Sequence, residues 1–429
     1  MSSPAISLSY ARGIQGEVTL PGSKSIANRA FLLAALAEGS TRLENMLLSD
    51  DTARMREALT ALDVSMESGD EATQILVHGK GGRFSTARAV ELFLGNAGTA
   101  MRPLAAVLAA SDGEFILTGE PRMYERPIGP QIEAMRQIGA DIEYLAESGY
   151  PPLRIRGTSL YGGTITLDGS LSSQYVSAIL MVLPLLPQDS QLQLTGEVVS
   201  APYIHLTVAM MRSFGAQVEV VSDREYRVKG GQGYKSPGVY WIEGDASSAS
   251  YFLAAAAIAG GPVTVHGVGS ASLQGDKKFA DVLAKMGARV TYAERSITVE
   301  KGDALRGGDF DLNAIPDAAM TIATTALFAK GATRIRNVYN WRLKETDRLH
   351  AMATELRKTG AEVVEDADAI TIVPPATIHH GTIETYDDHR MAMCFSLLAF
   401  APAGVTILDP ACCKKTFPDY FQTFQSLLT

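Results

Sequence analysis

The chain has 429 residues, 46% hydrophobic and 20% charged, with a formal net charge of −9. At roughly 150 residues per domain this is two or three globular domains, and the composition excludes disordered, collagen-like and coiled-coil classes. The acidic balance argues against general nucleic-acid or anionic-membrane binding, while leaving room for a local basic pocket.

In chain order, the start Met1–Tyr10 lacks a basic segment followed by an apolar one, so no signal peptide is expected. Six apolar, Ala-rich helices then follow at Ser25–Ala37, Thr99–Ala110, Ser173–Leu186, Ser247–Ala259, Asp317–Ala329 and His389–Phe400. They open at Gly22, Gly95, Gly169, Gly244, Pro316 and Asp387, a repeat of roughly 73 residues. Being apolar almost all round, they are expected to be buried. The longest strongly apolar run, Tyr251–Ala259, is far short of the about 20 residues that span a bilayer. With three cysteines, Cys394, Cys412 and Cys413, two of them adjacent, a disulfide framework is not expected. The seven histidines form no HExxH and the cysteines no CxxC, so a structural zinc site is not expected, and the chain reads as cytoplasmic and soluble.

A second pattern runs in phase. An amphipathic helix end, Gly-Ala and an alternating β-prone run recur at Met135–Glu143, Met211–Glu219, Leu283–Val290 and Leu356–Val363. A degenerate copy at Leu59–Glu67 has Asp63 in place of the glycine. From Asp63 through Gly139, Gly215 and Gly287 to Gly360 the spacing is nearly the same as that of the helix openings. Glycine after a helix is the usual left-handed cap, so each copy marks a helix-to-strand junction. The chain therefore reads as six α/β units. The last outer helix, predicted at Pro418–Leu428, has no strand after it, and Ala5–Ser9 could supply one. The predicted fold class is α/β, in two domains of three units each: residues 23–241, and residues 1–22 with 242–429. Two chain crossings would make a hinge.

Helix N-termini attract anions, so the chemistry is sought where their starts carry cations. Pro21–Arg29 brings Lys24 and Arg29 beside Ser25, without the order of a Walker A loop. Leu94–Pro103 has no bulky residue before Met101, so a ligand can approach its backbone, although a tight turn has the same signature. Glu120–Pro127 adds Arg122 and Arg126. Gly169–Gln174 offers hydroxyls and an amide that suit a polyhydroxylated or phosphorylated ligand, or simply cap a helix. Further on, Lys344 and Arg348 would share one face of a helix, with Glu345 on the neighbouring face. Arg390 stands at the sixth helix start and Lys415 before the last helix. Asp317 and Glu345 are the carboxylates available for proton transfer. An acidic chain that gathers Lys24, Arg29, Arg126, Lys344, Arg348, Arg390 and Lys415 near helix starts suits polyanionic small molecules held between two domains.

The segments Pro21–Arg29, Leu94–Pro103, Gly119–Gly129, Gly169–Gln174, Gly244–Ala254, Ile315–Thr321, Asn340–Leu349, Thr385–Ala392 and Lys415–Tyr420 resemble, in order, the 5-enolpyruvylshikimate-3-phosphate synthases. Leu94–Pro103 and Trp341–Arg348 resemble the glyphosate-sensitive class. The resemblance implies two domains of three βαβαββ units, an inside-out α/β barrel type, closing on substrates in a cleft. It implies transfer of the enolpyruvyl group of phosphoenolpyruvate to the 5-hydroxyl of shikimate 3-phosphate by a monomer, with release of phosphate through a tetrahedral intermediate and no cofactor. By resemblance, Lys24 lies between the substrates. Ser25, Arg29, Ser172, Ser173, Gln174, Ser200, Asp317, Asn340 and Lys344 hold shikimate 3-phosphate. Gly98, Arg126, Gln174, Arg348, Arg390 and Lys415 hold phosphoenolpyruvate. Asp317 takes the hydroxyl proton and Glu345 protonates the methylene carbon.

The sequence departs from the family at Ala27, where many relatives have Ser, and at Tyr124, where they have a basic residue. His205 replaces an acidic residue, and Tyr386-Asp387-Asp388 stands for Tyr-Asn-Asp. None of these removes a residue named above. A rival reading, the enolpyruvyltransferase acting on UDP-N-acetylglucosamine, resembles Pro-Gly-Asn-Lys-Asn at the first start and uses a cysteine in its first domain. Here the start is Pro21-Gly-Ser-Lys-Ser25 and every cysteine follows position 390. A non-enzymatic repeat protein that binds a phosphorylated partner would leave the acid, base and cation set unexplained.

Overall fold

The computed structural model describes residues 4–429. Its backbone divides into two compact units, Gly22–Ile242 and Glu243–Thr429, the latter joined by the N-terminal residues up to Pro21. Each unit has its own hydrophobic core.

Inner and outer helices alternate along the chain. The Gly22–Ile242 unit contains α1 (Lys24–Leu36), α2 (Asp50–Ala61), α3 (Gly98–Ala109), α4 (Gly129–Arg136), α5 (Ser173–Val182) and α6 (Ala201–Ser213). The other unit contains α7 (Ala246–Ala259), α8 (Phe279–Met286), α9 (Pro316–Thr325), α10 (Arg348–Lys358), α11 (His389–Phe395) and α12 (Tyr420–Ser426). The odd-numbered helices are the apolar ones. In α7 every residue from Ala246 to Ile258 is buried, and in α3 every one but Thr99. Small side chains let such helices sit among sheets on all sides, and each buried Leu, Ile or Phe contributes roughly 1.5–3 kcal/mol.

The repeat is seen whole in residues 90–156. Val90–Phe93 leads through α3 to the parallel strand Glu114–Thr118, with Val90 opposite Phe115. After α4, Asp141–Tyr144 and Leu153–Arg156 form a hairpin whose second strand lies antiparallel to Glu114–Thr118. The same strand order recurs around α5 and α6, in the sheet that runs from Gly163–Asp168 to Val218–Ser222. The residues before α1 give its sheet no leading strand. Val239–Trp241, from the far end of the unit, fills that edge parallel to Ser40–Glu44 and closes the unit on itself.

The second unit is closed from the N-terminus. Gly16–Thr19 pairs in parallel with Val263–His266. Ala5–Leu8 pairs antiparallel with Val405–Leu408, so the chain start completes the last sheet. The two ends are also tied by Thr429, whose N–H donates to Gly13 at 2.9 Å and whose carbonyl accepts from Arg12 and Gly13 at 3.0 Å each.

The Gly-Ala junctions behave as helix caps demand. Gly139, Gly215, Gly287 and Gly360 have φ of +99°, +84°, +114° and +90°. Asp63, in the degenerate copy, also takes a left-handed φ of 59°.

Several predicted boundaries need correction. The helices predicted to reach Leu186, Ala329 and Phe400 tighten into 3₁₀ turns at Leu183–Leu185, Ala326–Phe328 and Ser396–Phe400. Pro184 in the first of these cannot donate the hydrogen bond that continues an α-helix. The last outer helix is Tyr420–Ser426, shorter than the predicted Pro418–Leu428. Lys344 and Arg348 do not share a helix face. Tyr339–Leu343 is a 3₁₀ turn, Lys344 follows it in extended conformation, and α10 begins only at Arg348. Among the described residues, no helix is long and apolar enough to cross a membrane.

Candidate functional site

In the Gly22–Ile242 unit the polar groups gather at the starts of α1, α3, α5 and α6. Lys24, the first residue of α1, is 8% exposed and pairs with Asp51 of α2 at 3.2 Å. Asp51 is held in the first turn of α2 by a capping box between Ser49 and Thr52. Ser25 is half-buried beside Lys24.

Arg29 lies one turn further into α1 and is buried. Its Nε donates to Thr207 Oγ1 at 2.8 Å, Nη1 to the Ser25 carbonyl at 2.9 Å and Nη2 to Ser177 Oγ at 3.2 Å. All three acceptors are neutral. Burial lowers the Arg29 pKa to about 10. A buried guanidinium held by hydroxyls and a carbonyl is arranged to receive an anion.

At Gly98 a side chain would meet the polar ends of three neighbouring side chains and would have to displace them. A Cβ there would stand 2.7 Å from Arg126 Nη2, 2.9 Å from Arg102 Nη1 and 3.0 Å from Gln174 Oε1. The missing side chain therefore lets two guanidiniums and an amide converge on the start of α3. Arg126 is fixed by donating from Nη1 to the carbonyl and Oδ1 of Asn96, at 2.9 and 2.8 Å. Arg102 donates to the Pro127 carbonyl at 2.9 Å and so braces the loop that carries Arg126. Arg122 turns instead to Glu125, at 2.7 Å. Ser172 caps α5 by accepting from the Gln174 N–H at 3.2 Å, with Ser173 buried next to it. Ser200 precedes α6, buried, with a left-handed φ of 55°.

In the second unit the site is an ion cluster around the start of α9. Asp317 accepts from Arg348 Nη1 at 3.0 Å and from Arg390 Nη2 at 3.1 Å, and it pairs with Lys344 Nζ at 3.5 Å. Burial alone would raise its pKa. Arg390, Lys344 and Arg348 overcome that and hold the carboxyl far below the usual carboxylate range. Trp341 fixes the place of Asp317, because its indole N–H donates to the Pro316 carbonyl at 2.7 Å.

Arg348 is the hub of the cluster. Its Nε and Nη2 donate to Asp388 Oδ2 and Oδ1 at 2.7 and 3.2 Å, and Nη2 also donates to Glu345 Oε2 at 2.8 Å. Asp388 additionally caps α11 by accepting from the Arg390 N–H at 2.9 Å. Arg390 Nη1 donates to the buried Tyr251 hydroxyl at 3.2 Å. Asn340 is buried in the 3₁₀ turn Tyr339–Leu343. Lys415 is half-buried at the end of the 3₁₀ segment Pro410–Lys415, which meets α11 where Cys413 Sγ lies 4.0 Å from the His389 carbonyl.

The structure thus joins Gly98, Arg126 and Gln174 in one unit, and Asp317, Lys344, Glu345, Arg348 and Arg390 in the other. Sequence reasoning missed Asp51, Asn96, Arg102, Tyr251 and Asp388. Only Asp388 left a signal, as an N-cap residue before an apolar helix.

Known proteins resemble the chain along its length. Residues 10–424 match the family model described as EPSP synthase (3-phosphoshikimate 1-carboxyvinyltransferase). The 3-phosphoshikimate 1-carboxyvinyltransferase of Colwellia psychrerythraea is 58% identical over 408 residues, covering 95% of this chain and 96% of its own. That of a Sulfurovum species is 56% identical over 423 residues, covering 99% of each. Among solved structures, EPSP synthase from Acinetobacter baumannii superposes with a TM-score of 0.81 at 27% identity, over 99% of this chain and 98% of its own. The enolpyruvyl transferase NikO from Streptomyces tendae has a TM-score of 0.78 at 18% identity over 100% of this chain and 98% of its own, a likeness of fold alone.

Proposed function

The chain belongs to the EPSP synthase family, the 3-phosphoshikimate 1-carboxyvinyltransferases, and on that premise we propose which of its side chains handle each substrate. The family's reaction transfers an enolpyruvyl group to shikimate 3-phosphate in aromatic amino-acid biosynthesis.

Phosphoenolpyruvate binds Arg348, Arg390 and Lys415, and Arg126, Gln174 and the open backbone at Gly98. Shikimate 3-phosphate takes Ser25, Arg29, Ser172, Ser173, Gln174, Ser200, Asn340 and Lys344, with Lys24 between the two substrates. The observation that carries the reading is the convergence of Lys344, Arg348 and Arg390 on Asp317, beside Glu345.

With Asp388, that cluster has three cations and three carboxylates, so it is balanced before a substrate arrives. An incoming phosphate and carboxylate compete for the same guanidiniums. Asp317 then loses its counter-charges and becomes a stronger base for the 5-hydroxyl proton. The added negative charge also favours the protonated form of Glu345, the acid that delivers a proton to the methylene carbon. Collapse of the tetrahedral adduct returns that proton and expels phosphate, whose charge Lys24 stabilises. Charge-assisted hydrogen bonds orient both anions and offset their repulsion.

Exchange of the phosphoenolpyruvate methylene protons with deuterated solvent, measured with shikimate 3-phosphate present, tests the roles. Glu345→Gln abolishes the exchange while shikimate 3-phosphate still binds; normal exchange in that variant contradicts the assignment. The protein is expected to act as a cytoplasmic monomer, with glyphosate competing against phosphoenolpyruvate.

A further inference from the structure

Asp388 arrives at Arg348 from a strained turn. Tyr386 and Asp387, immediately before it, have φ of 55° and 54°. Residues with a Cβ rarely adopt that conformation, and two in succession persist only where the surroundings hold them. One group that braces this turn is Glu355 of α10, whose side chain is fully buried. Its Oε1 accepts from the Tyr386 hydroxyl at 2.8 Å, and its Oε2 accepts from the Glu384 N–H at 3.0 Å. Lys358 supplies the balancing charge at 2.6 Å and donates to the Thr382 carbonyl at 3.1 Å. Through Glu355 and Lys358, α10 thus grips Thr382, Glu384 and Tyr386, in the chain segment that delivers Asp388.

Glu355 stands seven residues after Arg348 on the same helix, two turns along and on the same face. One helix therefore presents the hub arginine at its start and a clamp on that arginine's partner further down.

We propose that Glu355 is a positioning residue for the reaction: through Tyr386 and Glu384 it holds the left-handed turn, and so sets Asp388 against Arg348 and against the start of α11, which carries Arg390. The inference rests on the assignment of Arg348 and Arg390 to phosphoenolpyruvate. Glu355 touches no substrate. Its effect is on the aim of two guanidiniums, and misplacement by a fraction of an ångström weakens a bidentate anion contact.

The test compares Glu355→Gln and Tyr386→Phe with Arg390→Lys, reading KM for each substrate, kcat and thermal stability. Tyr386→Phe removes a single hydroxyl from a partly exposed side chain, so it carries the test if Glu355→Gln fails to fold. Expected is a rise in KM for phosphoenolpyruvate of about tenfold in both clamp variants, with KM for shikimate 3-phosphate within about twofold of the unaltered enzyme. Adding Asp387→Gly to Glu355→Gln removes the strain at one of the two left-handed residues and brings KM for phosphoenolpyruvate back towards its original value. Unchanged KM for phosphoenolpyruvate in the clamp variants, with a raised one in Arg390→Lys, overturns the proposal. Equal rises in both KM values, or no recovery in the double variant, do the same. An unchanged KM in Arg390→Lys overturns the underlying assignment, and the proposal with it.

Discussion

Arg29→Met separates stability from binding at one residue. Arg29 is 4% exposed, and no carboxylate among the described residues pairs with it. Burial lowers its pKa from the usual arginine range to about 10, a penalty on the charged form of roughly 3 kcal/mol. A cation whose folded pKa lies below its unfolded one destabilises the fold at every pH below the folded value. The penalty is present in full at neutral pH and relaxes only as pH rises above about 10. Methionine fills similar space without charge. Thr207 and Ser177 bond to each other at 2.9 Å, so their hydroxyls keep a partner. The lost contact to the Ser25 carbonyl costs about 1 kcal/mol. The ligand-free variant should therefore be more stable by roughly 1–2 kcal/mol. It should also lose roughly 2–5 kcal/mol of shikimate 3-phosphate affinity, because a buried charge pair is broken. Chemical denaturation without ligand and calorimetric titration with shikimate 3-phosphate measure the two effects. A ligand-free variant destabilised by more than about 1 kcal/mol, or one that binds shikimate 3-phosphate normally, refutes the reasoning.

Gly98→Ala places a methyl within 3.0 Å of Gln174 and of Arg126 and Arg102, the two arginines held by backbone carbonyls, so steady-state kinetics should show KM for phosphoenolpyruvate up roughly tenfold or more, with weaker glyphosate inhibition and shikimate 3-phosphate binding retained. Asp388→Asn leaves the buried Arg348 short of its main counter-charge and should lower unfolding stability by about 3–5 kcal/mol in denaturant titrations. Asp317→Asn should lower kcat by about 10²–10⁴ without abolishing shikimate 3-phosphate binding. Because the Asp317 pKa is lowered on folding, its carboxylate stabilises the protein above the ordinary carboxylate range, and that contribution fades as pH falls below about 4. The stability gap between Asp317→Asn and the unaltered chain, followed by acid titration, should narrow only there.

The repeating elements were legible because local chemistry specifies them. A glycine that must turn left after a helix leaves a visible mark at Gly139, Gly215, Gly287 and Gly360. An all-round apolar helix such as Ala246–Ala259 announces its burial. The 3₁₀ endings left no such mark beyond Pro184, since tightening of the last turn depends on what the sheets press against. Val239–Trp241 beside Ser40–Glu44 joins opposite ends of one unit, a pairing that no local pattern encodes. The cations of the site were visible as charges at helix starts or in nearby loops, but their partners were not. Asp51 meets Lys24 from the next helix, and Asp388 meets Arg348 from a later turn of the chain. The idea that Lys344 and Arg348 act from one helix face failed because the chain is extended at Lys344, yet both reach Asp317 from different elements.

Phosphate release by the purified protein with phosphoenolpyruvate and shikimate 3-phosphate, against controls with UDP-N-acetylglucosamine and with no acceptor, tests the account most directly. The account predicts release only with shikimate 3-phosphate, one phosphate for each enolpyruvyl ether formed, and its near-complete loss in Asp317→Asn and Glu345→Gln. No release with shikimate 3-phosphate, release with the nucleotide sugar, or undiminished turnover in both variants would contradict it.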